Sequence, residues 1–327
     1  MKKNAIVFAC DRNFLFTLSV ALLSLKENSP LAASSCDIII FQQGLTDNDA
    51  AFLNKIIPCR VIEYKFAVDT NFEHENFKKF TQLTFARYDL FPMLDEYAKA
   101  LYIDVDLMIT GELDYIFRHY GDKSGIAMCK DTQKGLTKIT KNFVKPLEGY
   151  DMTVDNFNAG VTLYCHNIKN RENLRRWCYE KTAEWLENLV CPDQGVVNIL
   201  SQEFNIPIEE MPDIFNCTPS NNKYYDKSRD DVAVYHCAGG GVRFWRYSYD
   251  SRWEKYYAQY LEMGGEPYVN NDKPWRKFIK KYNLHRFDFF DRSPNPNVHP
   301  GRFIKYLLSY PFFYFFYYLP KKRVRND

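Results

Sequence analysis

Two aspartates one residue apart, Asp104 and Asp106, stand at the end of the apolar run in the segment Lys99-Ala-Leu-Tyr-Ile-Asp-Val-Asp-Leu-Met-Ile109. Side chains two apart on an extended chain point to one side, so this pair could face a single cavity and share one hard, oxygen-seeking cation. Burying two carboxylates without such a partner would be costly. The plainer alternative is a strand-end acid that caps a turn or a following helix.

The dyad has to be positioned by the elements before and around it. Leu101, Tyr102 and Ile103 are uninterruptedly apolar, which predicts a strand covered on both faces. Upstream, strand and helix signals alternate: strands at residues 5–10, 36–41 and 60–65, helices at 14–26 and 47–55, and a helical stretch over 77–94. Such alternation predicts an α/β fold of right-handed βαβ units around a mostly parallel sheet. Ligands of these sheets bind beyond the carboxyl ends of the strands, where Asp11, Asp104 and Asp106 are expected to meet. The second half reads as a strand at 157–165, a helix at 167–189, a short helix opening at Asp193, and a strand at 232–236 running into Gly239-Gly240-Gly241. No internal repeat is visible.

The 327 residues are 46% hydrophobic, enough for a sizeable core. Nine scattered cysteines form no Cys-x-x-Cys pair and read as reduced thiols of a cytosolic protein, not as zinc ligands. The apolar start is interrupted by Asp11 and Arg12 and lacks a small-residue cleavage site, so no export is expected. The net charge of +2 conceals an asymmetry: residues 271–327 hold thirteen Lys or Arg against four Asp, a net +9, leaving −7 on residues 1–270.

A boundary is expected near Gly264-Gly265, with a catalytic domain over residues 1–265 and a basic, aromatic, helical extension over 266–327. The uncharged run at 306–319 is shorter than the roughly 20 residues a spanning helix needs, and Pro311 interrupts it. Tyrosines and phenylalanines flanked by clustered cations suit the surface of an anionic bilayer. A helix packed on the domain or on a partner chain is the alternative. Nucleic acid is not expected, since the aromatics are contiguous and not interleaved with cations.

Several motifs in order give the chain a resemblance to the family 8 glycosyltransferases, retaining enzymes of bacterial lipopolysaccharide synthesis related to glycogenin. They are Ile6-Val-Phe-Ala-Cys-Asp-Arg-Asn-Phe14, Thr84-Phe-Ala-Arg-Tyr88, Leu101-Tyr-Ile-Asp-Val-Asp106, Phe157-Asn-Ala-Gly-Val161, Asp193-Gln194, and His236-Cys-Ala-Gly239 leading to Trp245. The resemblance spans most of residues 4–246. It implies a single GT-A domain, a Rossmann-like nucleotide-diphospho-sugar transferase fold, and a UDP-hexose donor held with Mn²⁺ or Mg²⁺. The implied acceptor is a glycan or glycolipid such as lipopolysaccharide or capsule, and the implied location is cytoplasmic, peripheral on the inner face of the plasma membrane.

By that resemblance Asp104, Asp106 and His236 are the metal ligands. Asp11, Asn13, Phe14, Arg87, Asp104, Val105, Gly239 and Arg243 bind the nucleotide sugar: Asp11 as acceptor for the uracil N3 proton, Phe14 stacking on the base, Arg87 beside the donor. Asn158, Asp193 and Gln194 surround the transferred sugar, with the Gln194 amide oxygen near the anomeric carbon. Asp193, following Pro192, also reads as a helix cap. One departure from the family stands out. Members often read His-x-x-Gly-x-x-Lys-Pro-Trp, whereas this chain has one extra residue and Arg243-Phe244 before Trp245. Two other functions remain open to the same residues. Haloacid-dehalogenase-like phosphatases also carry Asp-x-Asp after a strand, but expect Thr or Val where this chain has Met108. A catalytically inactive peripheral membrane protein could keep the fold to bind nucleotide or carbohydrate.

Overall fold

The computed structural model describes residues 3–132, 136–218, 231–238, 243–247 and 250–269. Nine strands are present among them: β1 Asn4–Asp11, β2 Cys36–Gln43, β3 Cys59–Glu63, β4 Lys99–Ile103, β5 Leu107–Ile109, β6 Ile126–Lys130, β7 Phe157–Cys165, β8 Ile208–Met211 and β9 Val234–His236. Seven form one twisted sheet in the order β3-β2-β1-β4-β7-β6-β8, and β5 pairs with β9 in a separate ribbon. Four of the six pairings in the large sheet are parallel; β7 runs antiparallel to both β4 and β6. The fold is thus α/β with a mostly parallel sheet, and the reversed β7 is what brings its first residues to the edge where β1 and β4 end.

Alternation along the strands sorts side chains between two cores. Val7 and Tyr102 lie on one face with the helices Arg171–Glu184 and Pro192–Glu203. Ile6, Phe8, Leu101 and Ile103 lie on the other with the helices Leu15–Asn28 and Asp47–Ile56. Every residue of β4 is buried, as a strand covered on both faces requires. Leu101 is fully buried at its centre. Leu101→Ala is expected to lower unfolding free energy by about 2–5 kcal/mol, through lost burial and the cavity left behind. Urea denaturation checks this, and a loss under about 1 kcal/mol would contradict the central place of β4.

Three expectations need correction. The stretch 77–94 is not one helix: Glu75–Phe80 ends at Thr81, whose backbone (φ 61°, ψ 163°) cannot continue it, and a 3-10 segment Gln82–Asp89 and a short turn Leu90–Met93 follow. The helix expected from 167 begins only at Arg171, after Asn170 in the left-handed region, and stops at Glu184 before the 3-10 turn Leu186–Asn188. Asp104 and Asp106 lie just past β4, in its link to β5, and not on the strand itself. None of the nine cysteines is in a disulfide. Gly264 and Gly265, where a boundary is expected, follow the helix Ser251–Glu262. Gly264 there has φ +95°, a turn that glycine permits. Most of the 266–327 extension lies outside the described residues, and no helix among those described is long and apolar enough to cross a membrane.

Candidate active site

Parallel pairing of β1 with β4 sends Asp11 and Asp104 out of the same edge of the sheet. Antiparallel β7 adds its opening residues there: Ile103 pairs with Val161, and the Asp104 N–H donates to the Gly160 carbonyl at 2.9 Å. The β5–β9 ribbon supplies the third component. Leu107 pairs with His236, and the Cys237 N–H donates to the Asp106 carbonyl at 2.9 Å, which fixes the histidine over the two carboxylates.

The three groups converge. His236 Nε2 lies 3.1 Å from Asp106 Oδ1 and 3.6 Å from Asp104 Oδ2, and one ligand atom from each residue falls within 4.8 Å of the others. His236 Nδ1 is 2.8 Å from Asn216 Oδ1, an acceptor that claims the Nδ1 proton and leaves the Nε2 lone pair turned towards the carboxylates. Burial disfavours the charged imidazole, yet Asp106 and Asp104 outweigh it and hold its pKa above the usual value. Burial likewise works against both carboxylates. For Asp106 it is overcome by the Arg243 guanidinium and His236, so its pKa falls; for Asp104 it prevails and the pKa rises. Space here depends on Gly160, because a Cβ on it would stand 2.3 Å from His236 Cε1 and 3.0 Å from Asp104 Oδ2.

Arg87 joins this cluster to the neighbouring helix. Nη2 reaches Asp104 Oδ1 at 3.1 Å and Asp193 Oδ2 at 2.9 Å, Nε donates to the Thr84 carbonyl, Nη1 donates to the Ala159 carbonyl, and the guanidinium lies 4.3 Å over the Tyr102 ring. Burial opposes its charge, but Asp193 and Asp104 keep its pKa above the ordinary arginine value. The capping expectation for Asp193 therefore fails. Cys191 is the cap of the helix Pro192–Glu203, and Asp193 is its second residue with its carboxylate committed to Arg87. Gln194 turns its amide nitrogen to Asp131 Oδ2 (3.1 Å) and Asn142 Oδ1 (3.2 Å), and its oxygen accepts from the Ala159 N–H at 3.3 Å. Asn158 donates to Asp131 Oδ2 at 3.2 Å and accepts from the Gly160 N–H at 3.0 Å.

A cleft of about 220 Å³ runs along this edge, lined by Asp11, Phe14, Tyr102, Asp104, Val105, Asp106 and Arg243, with Lys79 and Thr81 on its opposite wall. Asp11 Oδ1 accepts from the Asn13 N–H at 2.8 Å. Asn13 is exposed and does not line the cleft. Arg243 is ion-paired with Asp106, and its guanidinium stacks 5.4 Å from the Trp245 ring. Gly239 lies outside the described residues. The residues missed in the sequence are Gly160, Asn216, Asp131 and Asn142. Gly160 lay within the Phe157–Val161 motif without being given a role, and Asp131 carried a weaker signal, an acid just past the apolar strand β6.

The family model described as Glycosyl transferase family 8 matches residues 5–248. A putative glycosyltransferase of Haemophilus influenzae is 22% identical over 253 residues, 73% of this chain and 72% of that relative. Two solved structures share the fold. The galactosyltransferase LgtC, in complex with donor and acceptor sugar analogs, aligns with a TM-score of 0.59 at 19% identity over 84% of this chain and 99% of its own. The bifunctional glycosyltransferase WbbM, in its apo form, aligns with a TM-score of 0.60 at 13% identity over 80% of this chain, which spans only 51% of that protein.

Proposed function

Because the chain belongs to glycosyltransferase family 8, we propose that it moves a hexose, glucose or galactose, from a UDP-sugar to a cell-surface glycan acceptor such as lipopolysaccharide or capsule. The observation that supports this most is the single cleft joining Asp11 and Phe14 to the Asp104–Asp106–His236 cluster, with Arg87 tying that cluster to Asp193. Two carboxylates and an imidazole whose other nitrogen is already committed suit Mn²⁺ or Mg²⁺, and the missing side chain at Gly160 leaves room beside them. The cation would neutralise the charge developing on the diphosphate leaving group.

The chain's own residues do the rest. Asp11 takes the uracil N3 proton and Phe14, 36% exposed at the cleft, stacks on the base, with Asn13 nearby. Val105, which lines the cleft, brings backbone to the nucleotide sugar. Arg243, paired with Asp106 beside the cleft, would meet the diphosphate. Asp193, held in place by Arg87, accepts from the sugar hydroxyls with Asn158 beside it, and the Gln194 oxygen faces the anomeric carbon as positive charge develops there. No strong nucleophile is assigned, so retention follows from attack by the acceptor on the face the diphosphate leaves. Incubation with each common UDP-hexose and Mn²⁺ tests the reading: slow release of UDP from one of them is expected. Saturable UDP binding with no turnover on any donor or acceptor would instead favour the inactive binding protein.

Gly160→Ala is expected to weaken Mn²⁺ binding by about 10- to 100-fold, the usual effect of displacing a metal ligand from behind. Calorimetric titration checks this; unchanged affinity would remove Gly160 from the account. In the same reading the enzyme is cytoplasmic and peripheral on the inner membrane face. The basic, aromatic residues 266–327 support that attachment. Truncation after Arg302 is expected to release the protein from anionic vesicles in a sedimentation assay and leave donor binding intact. Persistent vesicle binding would favour a tail packed on protein.

A further inference from the structure

Behind the cleft, a line of buried side chains connects His236 to Gln194. Asn216 accepts from His236 Nδ1 at 2.8 Å and donates to Asn158 Oδ1 at 2.8 Å; Asn158 donates to Asp131 Oδ2 at 3.2 Å; and Gln194 donates to the same oxygen at 3.1 Å. A second branch runs from Gln194 Nε2 to Asn142 Oδ1 (3.2 Å), from Asn142 Nδ2 to Asn156 Oδ1 (2.7 Å), and from Asn156 Nδ2 to the Leu136 carbonyl (2.7 Å). All seven side chains are at most 7% exposed.

An amide can be turned end for end without changing shape, so its direction is set by its neighbours. Here both branches end on accepting oxygens: Asp131 Oδ2, which takes both amides, and the Leu136 backbone carbonyl. Asp131 therefore demands the NH₂ of both Asn158 and Gln194. That turns Asn158 Oδ1 to Asn216, and so Asn216 Oδ1 to the proton on His236 Nδ1. The Gly160 N–H, donating to Asn158 Oδ1 at 3.0 Å, enforces the same direction.

We propose that Asp131 and Asn216 are positioning residues of one directional relay, which holds His236 with its Nε2 lone pair free for a divalent cation and holds the Gln194 oxygen away from Asp131. The inference rests on the metal reading of the site proposed above. The end of the site that binds the cation and the end that meets the sugar are thereby set by the same buried carboxylate. Oxygen at position 131, not its charge, is the requirement, because a single oxygen serves both amides.

Calorimetric titration of Mn²⁺ in the presence of UDP tests this on wild type, Asp131→Ala and Asp131→Asn, with melting temperature as the check of folding. Asp131→Ala is expected to weaken Mn²⁺ binding by about 10- to 100-fold, as loss of an outer partner of a metal ligand does. Asp131→Asn is expected to stay within about threefold of wild type, since its amide oxygen can accept from both neighbours. Equal affinity in Asp131→Ala and wild type, or equal loss in Asp131→Asn and Asp131→Ala, would overturn the relay. Should Asp131→Ala not fold, Asn216→Leu carries the test: it is expected to weaken Mn²⁺ binding by about 10- to 100-fold, and unchanged affinity would overturn the relay. Absence of Mn²⁺ binding by the wild type would overturn the metal reading itself and the relay with it.

Discussion

Asp106→Asn is expected to reduce UDP-hexose turnover by at least about a thousandfold while leaving the fold intact. Asp106 offers Oδ1 to the shared centre beside His236 and Oδ2 to Arg243. The neutral amide keeps the shape but removes the charge that draws a cation there. Charge stabilisation by a metal is worth several kcal/mol in the transition state, and each 1.36 kcal/mol is tenfold in rate, so a loss of about 4 kcal/mol gives the expected factor. Folding is spared because the Asp106 side chain is 18% exposed and Arg243 23%, so water can solvate the arginine left behind. Initial rates of UDP release with Mn²⁺, beside a melting curve, check both halves. Turnover within about tenfold of wild type would show that Asp106 does not hold the ion.

Arg87→Met behaves oppositely, with its first effect on stability. The guanidinium is almost wholly buried and serves two carboxylates, two backbone carbonyls and the Tyr102 ring. Removing one partner of a buried ion pair leaves an uncompensated charge and costs about 3–5 kcal/mol. Most of that penalty falls on Asp193, whose side chain is 10% exposed against 27% for Asp104. Adding Asp193→Asn to Arg87→Met is therefore expected to recover part of the loss, a coupling that a double-mutant cycle in urea measures directly. A loss below about 1 kcal/mol in the single variant, or strict additivity in the double, would contradict the bridging role.

How far the sequence reaches depends on whether a feature is local. Residues 157–165 read as a strand and form one, Phe157–Cys165, because its apolar and β-branched pattern is complete within the segment. The acids past β4 were legible as a pair, although they converge through a tight link between strands and not by alternation along one strand. Thr81 was not legible as a break, since nothing in its residue type announces a positive φ; only tertiary packing imposes it. Asp193 misled as a cap for a related reason: Pro192 and the helix start are local, whereas Arg87 lies 106 residues away in sequence and claims the carboxylate. The amide relay was invisible, because Asn216, Asn158, Asn142 and Gln194 come from separate elements and have no periodicity to connect them. Asp104, Asp106 and His236 were legible as a candidate donor set and do come together, while the pairing of Arg243 with Asp106 emerged only in three dimensions.

The central claim is that this cleft binds a UDP-sugar through a divalent cation at Asp104, Asp106 and His236. A thermal-shift panel of UDP-glucose, UDP-galactose and the other common UDP-hexoses, each with Mn²⁺, with Mg²⁺ and with chelator, tests it most directly, because a ligand that binds only the folded state raises the melting temperature. The account predicts a clear rise for at least one UDP-hexose that requires the metal and disappears in Asp106→Asn. A panel with no metal-dependent rise, or a rise that Asp106→Asn keeps in full, would contradict it.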